Sequence, residues 1–244
     1  MTEPVGDDRR QAELVTALGA VRARIADACV AVGRDPQEVT LVAVTKTCPA
    51  TDIATLARLG VLDIGEARDQ EARAKLAELA EAPYPQVSLR WHLIGRLQTN
   101  KARSVVGYAH AVHSVDRPKL ARALADAAAE HRDHPLDVFV QVSLDGDPER
   151  GGVVPAELPA LADLVAERPE LRLRGLMAVP PVGSDADEQF TRLAELARGV
   201  RDDHPAADAL SAGMSDDLEA AVRHGSTHVR VGSALLGRRP PIVS

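Results

Sequence analysis

The chain has 244 residues, 45% hydrophobic and 27% charged, a balance that supplies a large buried core. A formal net charge of −7 and only 2% aromatic residues exclude a general nucleic-acid binder, which needs a basic face to release counterions and rings to stack bases. Two cysteines without CxxC spacing, a polar start (MTEPVGDDRRQ) and no apolar run of spanning length point away from a disulfide scaffold, a secretory signal and a membrane anchor, and towards a cytoplasmic protein.

In chain order, Leu14, Leu18, Val21, Ile25 and Ala28 recur at helical spacing, and Gly33 with Pro36 closes that segment, so an extra N-terminal helix comes first. Runs rich in β-formers then fall at 39–45, 61–64, 89–94, 111–115, 136–142, 171–177, 208–211 and 227–231. Helical patterning lies between them at 51–59, 68–80, 99–106, 117–131, 156–166, 185–202 and 216–224. Gly60 and Gly225 stand where left-handed residues end helices, and Asp116 is predicted to cap the helix that opens at Pro118. Strands alternating with helices in this number predict a single (β/α)8 TIM-type barrel, with residues 1–244 as one domain.

Barrels of this kind gather their chemistry at the C-terminal ends of the strands. Lys46, in LVAVTKT, ends the first strand. It reads either as a solvated strand end or as a Schiff-base amine whose ammonium form is disfavoured by apolar walls. Position alone does not choose between a sugar substrate and a bound cofactor. Ser211, Gly213 and Ser215 after strand seven, with Gly232 and Ser233 after strand eight, offer hydroxyls and N–H groups to a phosphate. Arg230, between Val229 and Val231, points away from both neighbours. A buried guanidinium there needs an acceptor, either a carboxylate such as Asp63 or Glu66 or the pyridine nitrogen of a cofactor.

Glu66, Arg68, His92, Ser143, Asp145, Arg150 and Met177 fall on the same face, whereas Tyr84 and Tyr108 fall on the opposite one. The pairs His110/His113 and His131/His134 have a spacing that can serve a metal, but no further ligand completes either set, so they read as solvated loop histidines. Cys48 reads as a small apolar filler, and Asp185, Asp187 and Glu188 as a charged helix start.

Six segments carry a family resemblance: LVAVTK at 41–46, IGEARDQEA at 64–72, WHLIGRLQTNKAR at 91–103, HSVDRPKLA at 113–121, LRGLMAVP at 173–180 and LSAGMSDDLEAAVRHGSTHVRVGSALLGRR at 210–239. Over nearly its whole length the sequence resembles the pyridoxal-phosphate homeostasis proteins of the YggS type. The resemblance implies the barrel of the alanine racemase N-terminal domain, fold type III among proteins of pyridoxal 5′-phosphate (PLP). It implies Lys46 as the Schiff-base lysine, Arg230 beside the pyridine nitrogen, and phosphate contacts from Ser215, Gly232 and Ser233, with Ser211 in the same loop. His92 and Met177 are expected to line the pocket. Departures from the family pattern are Ala67 for the asparagine of GEN, Cys48 for a second lysine, Arg150 for a lysine and Ser233 for a threonine.

Amino-acid chemistry on PLP needs an acid/base placed at the substrate α-carbon. An arginine at the ring nitrogen makes a weak electron sink, and racemases of this fold draw a second-face tyrosine from a further domain. The expectation is therefore a monomeric PLP carrier without significant turnover, acting in vitamin B6 homeostasis, with apo PLP-dependent enzymes as recipients. The alternatives are an amino-acid racemase or other fold-type III PLP enzyme, with His92 as second base, and a Schiff-base aldolase on a phosphorylated sugar.

Overall fold

The computed structural model describes residues 5–81, 88–147 and 150–237, leaving Tyr84 outside the described residues. Its order is α1 (Val5–Ala31), β1 (Thr40–Val44), α2 (Ala50–Arg58), β2 (Asp63–Glu66), α3 (Asp69–Glu81), β3 (Arg90–Leu93), α4 (Ala102–Val106), β4 (Ala111–Val115) and α5 (Pro118–His131), then β5 (Leu136–Gln141), α6 (Leu158–Ala166), β6 (Leu171–Met177), α7 (Ala186–Asp203), β7 (Ala209–Ser211), α8 (Leu218–Arg223), β8 (His228–Val231) and α9 (Ser233–Leu236). The eight strands pair in parallel, each with the next, and β8 returns to β1 through Thr40 opposite His228 and Ala43 opposite Val231. The sheet closes into the expected (β/α)8 barrel.

Boundaries move where composition misleads. The second strand lies at Asp63–Glu66 instead of 61–64, because Val61 is still closing α2 through its N–H to the Leu56 carbonyl. Helix 99–106 opens as a 3-10 turn at Thr99–Lys101. Asp116 does not cap α5: Arg117 holds the cap position with no side-chain bond, and Asp116 instead pairs with the Arg117 guanidinium. Gly60 and Gly225 do adopt left-handed backbone, at φ 81° and 93°. Asp185 caps α7, accepting from the Glu188 N–H at 3.0 Å.

Alternation along each strand sorts the core. Outward residues such as Val112, Val138, Leu173, Leu176 and Leu210 pack beneath the helices. Around β1, β2 and β8, the residues Ala43, Ile64, Val229 and Val231 pack with Leu14, Leu18, Val21 and Ile25 of α1. Each fully buried leucine of α1 contributes about 1.5–3 kcal/mol by leaving water. Two arginines of α1, and Arg34 just past it, then fasten this segment to residues 215–236. Arg10 grips Asp52 and donates to the Leu236 carbonyl, Arg24 pairs with Glu219 and donates to the Ser215 carbonyl, and Arg34 donates to the Val222 and Ser226 carbonyls.

The inward residues are different in kind. Ala111, Phe139, Met177 and Ala209 form a small apolar layer. Around it lie His92, His113, Ser211 and Arg230, all buried, where bulky aliphatic side chains usually fill such a barrel. His113 stacks on Phe139 with ring centroids 4.3 Å apart. Strand β6 passes close to β7 at Gly175, whose φ of 143° disfavours a side chain and whose added Cβ would sit 1.8 Å from the Ala209 carbonyl oxygen. Gly175→Ala is therefore expected to lower stability by about 1–3 kcal/mol, measured by urea unfolding. An unchanged midpoint would mean that β6 moves away from β7 at no cost.

Candidate functional site

Lys46 stands in the turn after β1, at the mouth formed by the C-terminal strand ends, and its side chain is exposed there. The expected apolar burial is not what the barrel provides, because Lys46 lies beyond the last β1 residue and the turn lifts it clear of the wall. What fixes it is a buried cluster beneath. Lys75, on α3, donates to the Thr45 carbonyl, to Glu66 Oε1 and to Glu71 Oε1, each at 2.7 Å. Thr45 Oγ1 donates to Glu66 Oε1 at 2.6 Å, and the Thr47 N–H donates to Glu71 Oε1. The peptide units on both sides of Lys46 are thus held by one Glu66–Lys75–Glu71 cluster. Thr47 takes a left-handed backbone at φ 63°, which a threonine adopts only where surroundings enforce it. Burial raises the Glu66 carboxyl above its ordinary value, although Lys75 and Thr45 pull it the other way. Sequence reasoning missed this cluster. Its signal was there as Glu71 and Lys75, four residues apart on a helix that follows the acidic end of β2.

Arg230, inward on β8, is 4% exposed. Asp63 and Glu66 are not its partners, since each is taken by another cation, Arg90 and Lys75. Instead Arg230 Nη1 donates to Ser211 Oγ at 2.6 Å, and Nη2 donates to the Ala178 carbonyl at 3.0 Å. Burial lowers its pKa to about 10, partly opposed by Asp217, so the guanidinium stays charged at neutral pH. Ser211 itself is wholly buried inside the barrel and not in the loop, with its oxygen bonded to Arg230 and to His113 Nδ1 at 2.8 Å. Strand β7 extends to residue 211, so alternation turns that hydroxyl inward before the loop begins.

His113 is a second correction. It is no loop histidine but an inward residue of β4 with no exposed surface. His92 lies deep in the interior, its Nδ1 2.9 Å from His113 Nε2 and its Nε2 2.9 Å from Asp63 Oδ1. Met177 packs with Ala111, Phe139 and Ala209, one residue before the carbonyl that holds Arg230. Among the described residues no cluster of three metal-ligating side chains occurs.

The loops after β7 and β8 meet at the same mouth. The Ala234 N–H donates to Ser215 Oγ at 3.1 Å, tying one loop to the other. Gly232 passes close to β1: an added Cβ would approach the Val44 carbonyl oxygen to 3.4 Å. Ser233 opens α9 and is exposed. Ser215, Gly232 and Ser233 are therefore adjacent, next to β1, whose following turn carries Lys46. Across the mouth, loops after β5, β6 and β7 enclose a cavity of about 660 Å³ lined by Ser143, Asp145, Arg150, Val182, Met214 and Asp217.

The alanine racemase N-terminal domain family matches residues 17–240. A protein of Mycobacterium bovis named pyridoxal phosphate homeostasis protein is 49% identical over 244 residues, covering 94% of each chain. One of the same name from Escherichia coli K12 is 41% identical, covering 91% of this chain and 95% of its own. Among solved structures, PipY of Synechococcus elongatus with PLP bound superposes with a TM-score of 0.76 at 36% identity, covering 87% of this chain and all of that one. Alanine racemase of Corynebacterium glutamicum shares the fold alone, at a TM-score of 0.64 and 16% identity, over 89% of this chain and 60% of that one. By sequence and fold together, the chain belongs to the pyridoxal phosphate homeostasis protein family, built on the barrel of the alanine racemase N-terminal domain.

Proposed function

We propose that this chain binds PLP at the C-terminal mouth of its barrel and acts in PLP homeostasis, holding and releasing the cofactor in the cytoplasm. The observation that carries this reading is Arg230, a buried cation held by neutral acceptors only, beneath a mouth where Lys46 and the joined loops of Ser215, Gly232 and Ser233 converge. That donor set fits PLP group by group. A lysine amine suits its aldehyde, paired loop N–H groups and hydroxyls suit its phosphate, and a donor-only guanidinium suits an unprotonated ring nitrogen. Relatives named for PLP homeostasis, and PipY solved with PLP, support the same assignment.

When bound, the cofactor supplies an aldehyde for a Schiff base with Lys46 and an electron-withdrawing ring. The chain's own residues then orient and retain it. The Glu66–Lys75–Glu71 cluster sets the Lys46 turn, Gly232 leaves backbone room, and Ser211 holds Arg230. Met177 and His92 are interior supports below the pocket, and the Ser211 hydroxyl belongs with them more than with the phosphate. We assign delivery to apo PLP-dependent enzymes and a monomeric state to the same reading.

Absorbance near the visible edge, bleached by borohydride, tests PLP binding, and peptide mass spectrometry then locates the pyridoxyl group. The expected site is the peptide containing Lys46. Lys75 is the rival, and its amine is buried and engaged by Glu66, Glu71 and the Thr45 carbonyl. A label on Lys75 alone would overturn the lysine assignment, and an absent label would overturn the covalent mode. In Lys46→Ala the near-visible band is expected to vanish.

A further inference from the structure

We propose that Asp63, at the barrel end opposite Lys46, is a positioning residue for Arg230, acting through a single-direction hydrogen-bond chain of Ser211, His113 and His92. The direction follows from the two ends. A guanidinium can only donate, so Ser211 Oγ accepts from Arg230 Nη1 at 2.6 Å and turns its own proton to His113 Nδ1 at 2.8 Å. His113 then carries its proton on Nε2 and gives it to His92 Nδ1 at 2.9 Å. His92 likewise carries its proton on Nε2 and gives it to Asp63 Oδ1 at 2.9 Å. A carboxylate can only accept, so the chain ends there, where the Arg90 guanidinium also donates to both Asp63 oxygens.

Every member has its proton assigned once and no oxygen or nitrogen is asked to play two incompatible roles. Two further features support the assignment. His113, with no exposed surface, is pushed well below its ordinary pKa chiefly by burial, and so remains neutral. Asp63 is raised by burial but lowered further by His92 and Arg90, reaching about 2, and so remains a carboxylate. The reverse arrangement, with His113 protonated on Nδ1, would aim two donors at Ser211 Oγ and leave the serine proton without an acceptor in a buried site, which is unfavourable. Chains of aligned hydrogen bonds polarise one another. The negative end at Asp63 therefore makes Ser211 a stronger acceptor and fixes the rotamer of Arg230. The functional weight of this arrangement rests on the reading that Arg230 faces the cofactor ring; the arrangement itself does not.

Cofactor-free protein labelled with 15N in histidine and arginine tests it. Two-bond correlations are expected to show His92 and His113 both protonated on Nε2, with His113 unchanged between about pH 5 and 8. Either ring found protonated on Nδ1 would overturn the proposal, and this measurement needs no variant. Asp63→Asn removes the terminal charge at nearly constant shape. It is expected to speed exchange of the Arg230 Nη protons about tenfold, the loss of roughly one net hydrogen bond, in a protein that still melts cooperatively. Unchanged exchange would also overturn it. Ring-15N-labelled PLP bound to Arg230→Gln separates the two ideas: an unmoved ring signal there refutes the ring-facing role while the arginine exchange still decides the chain.

Discussion

Lys75→Met is expected to lower the unfolding free energy by about 3–5 kcal/mol at neutral pH, because it leaves a buried carboxylate without its cation. Glu66 is 1% exposed and Lys75 is 6% exposed, so water cannot replace the lost partner cheaply. The loss should depend on pH in a defined direction. A carboxyl whose folded pKa is raised binds more protons folded than unfolded between the two values, so stability falls as pH rises through that window. Glu66 already has a raised value from burial, and Lys75 is among the groups that lower it. Removing Lys75 extends the window upward. The penalty is thus expected to be small in acid, where Glu66 is protonated in both states, and to grow towards neutrality. Urea unfolding across that range measures it, and a loss under about 1 kcal/mol at neutral pH would contradict the buried-pair argument. The double change Glu66→Gln, Lys75→Met should recover much of the loss. The single variant should also reduce PLP labelling at Lys46, since Thr45 and Thr47 lose their common anchor.

Amino-acid racemisation by the PLP-loaded protein is expected to fall about 10²–10⁴-fold or more below a rate of roughly 1 s⁻¹. The structure strengthens the reason. His92, the one second base the sequence offered, has both ring nitrogens engaged, by Asp63 and by His113, and is 3% exposed. Tyr108 lies in the connection from α4 to β4, at the far end of the barrel from Lys46, packed against the core. Proton exchange at the α-carbon and chiral analysis over a panel of L- and D-amino acids measure the outcome. Turnover near 1 s⁻¹ or faster would replace the carrier reading with an enzymatic one, and its persistence in His92→Ala would place the base elsewhere.

The architecture was legible because period and punctuation agree. Eight short apolar runs, separated by alanine-rich helices, leave few folds to choose among, and the observed strands fall within those runs except at β2. That strand reads DIGE, where two acids and a glycine hide a buried segment from any hydrophobicity pattern. Lys46, Ser215, Gly232 and Ser233 could be placed at one mouth because position along a barrel strand fixes which end a residue occupies. Ser211, His92 and His113 could not be assigned, because their roles depend on which face alternation gives them and on contacts between β2, β3, β4, β7 and β8. Such contacts join residues far apart in the chain, such as His113 and Ser211. The carboxylate alternative for Arg230 fails for the same reason: charge offered Asp63 or Glu66, whereas geometry supplied a hydroxyl and a carbonyl.

The arginines that fasten the first helix couple it to the loops at the mouth. Arg24 ends on the Ser215 carbonyl and Arg10 on the Leu236 carbonyl, so the first helix holds the backbone behind both loops at the mouth, while Arg34, just past the helix, donates to the Val222 and Ser226 carbonyls at the opposite end. Segments joined in this way open together in amide exchange, as one cooperative unit with one opening free energy. Loosening the loop around Ser215 therefore costs the Arg24 contact that joins it to α1. The free energy of opening this mouth includes contacts of a helix that begins more than two hundred residues earlier in the chain and holds Ser215 by its backbone carbonyl.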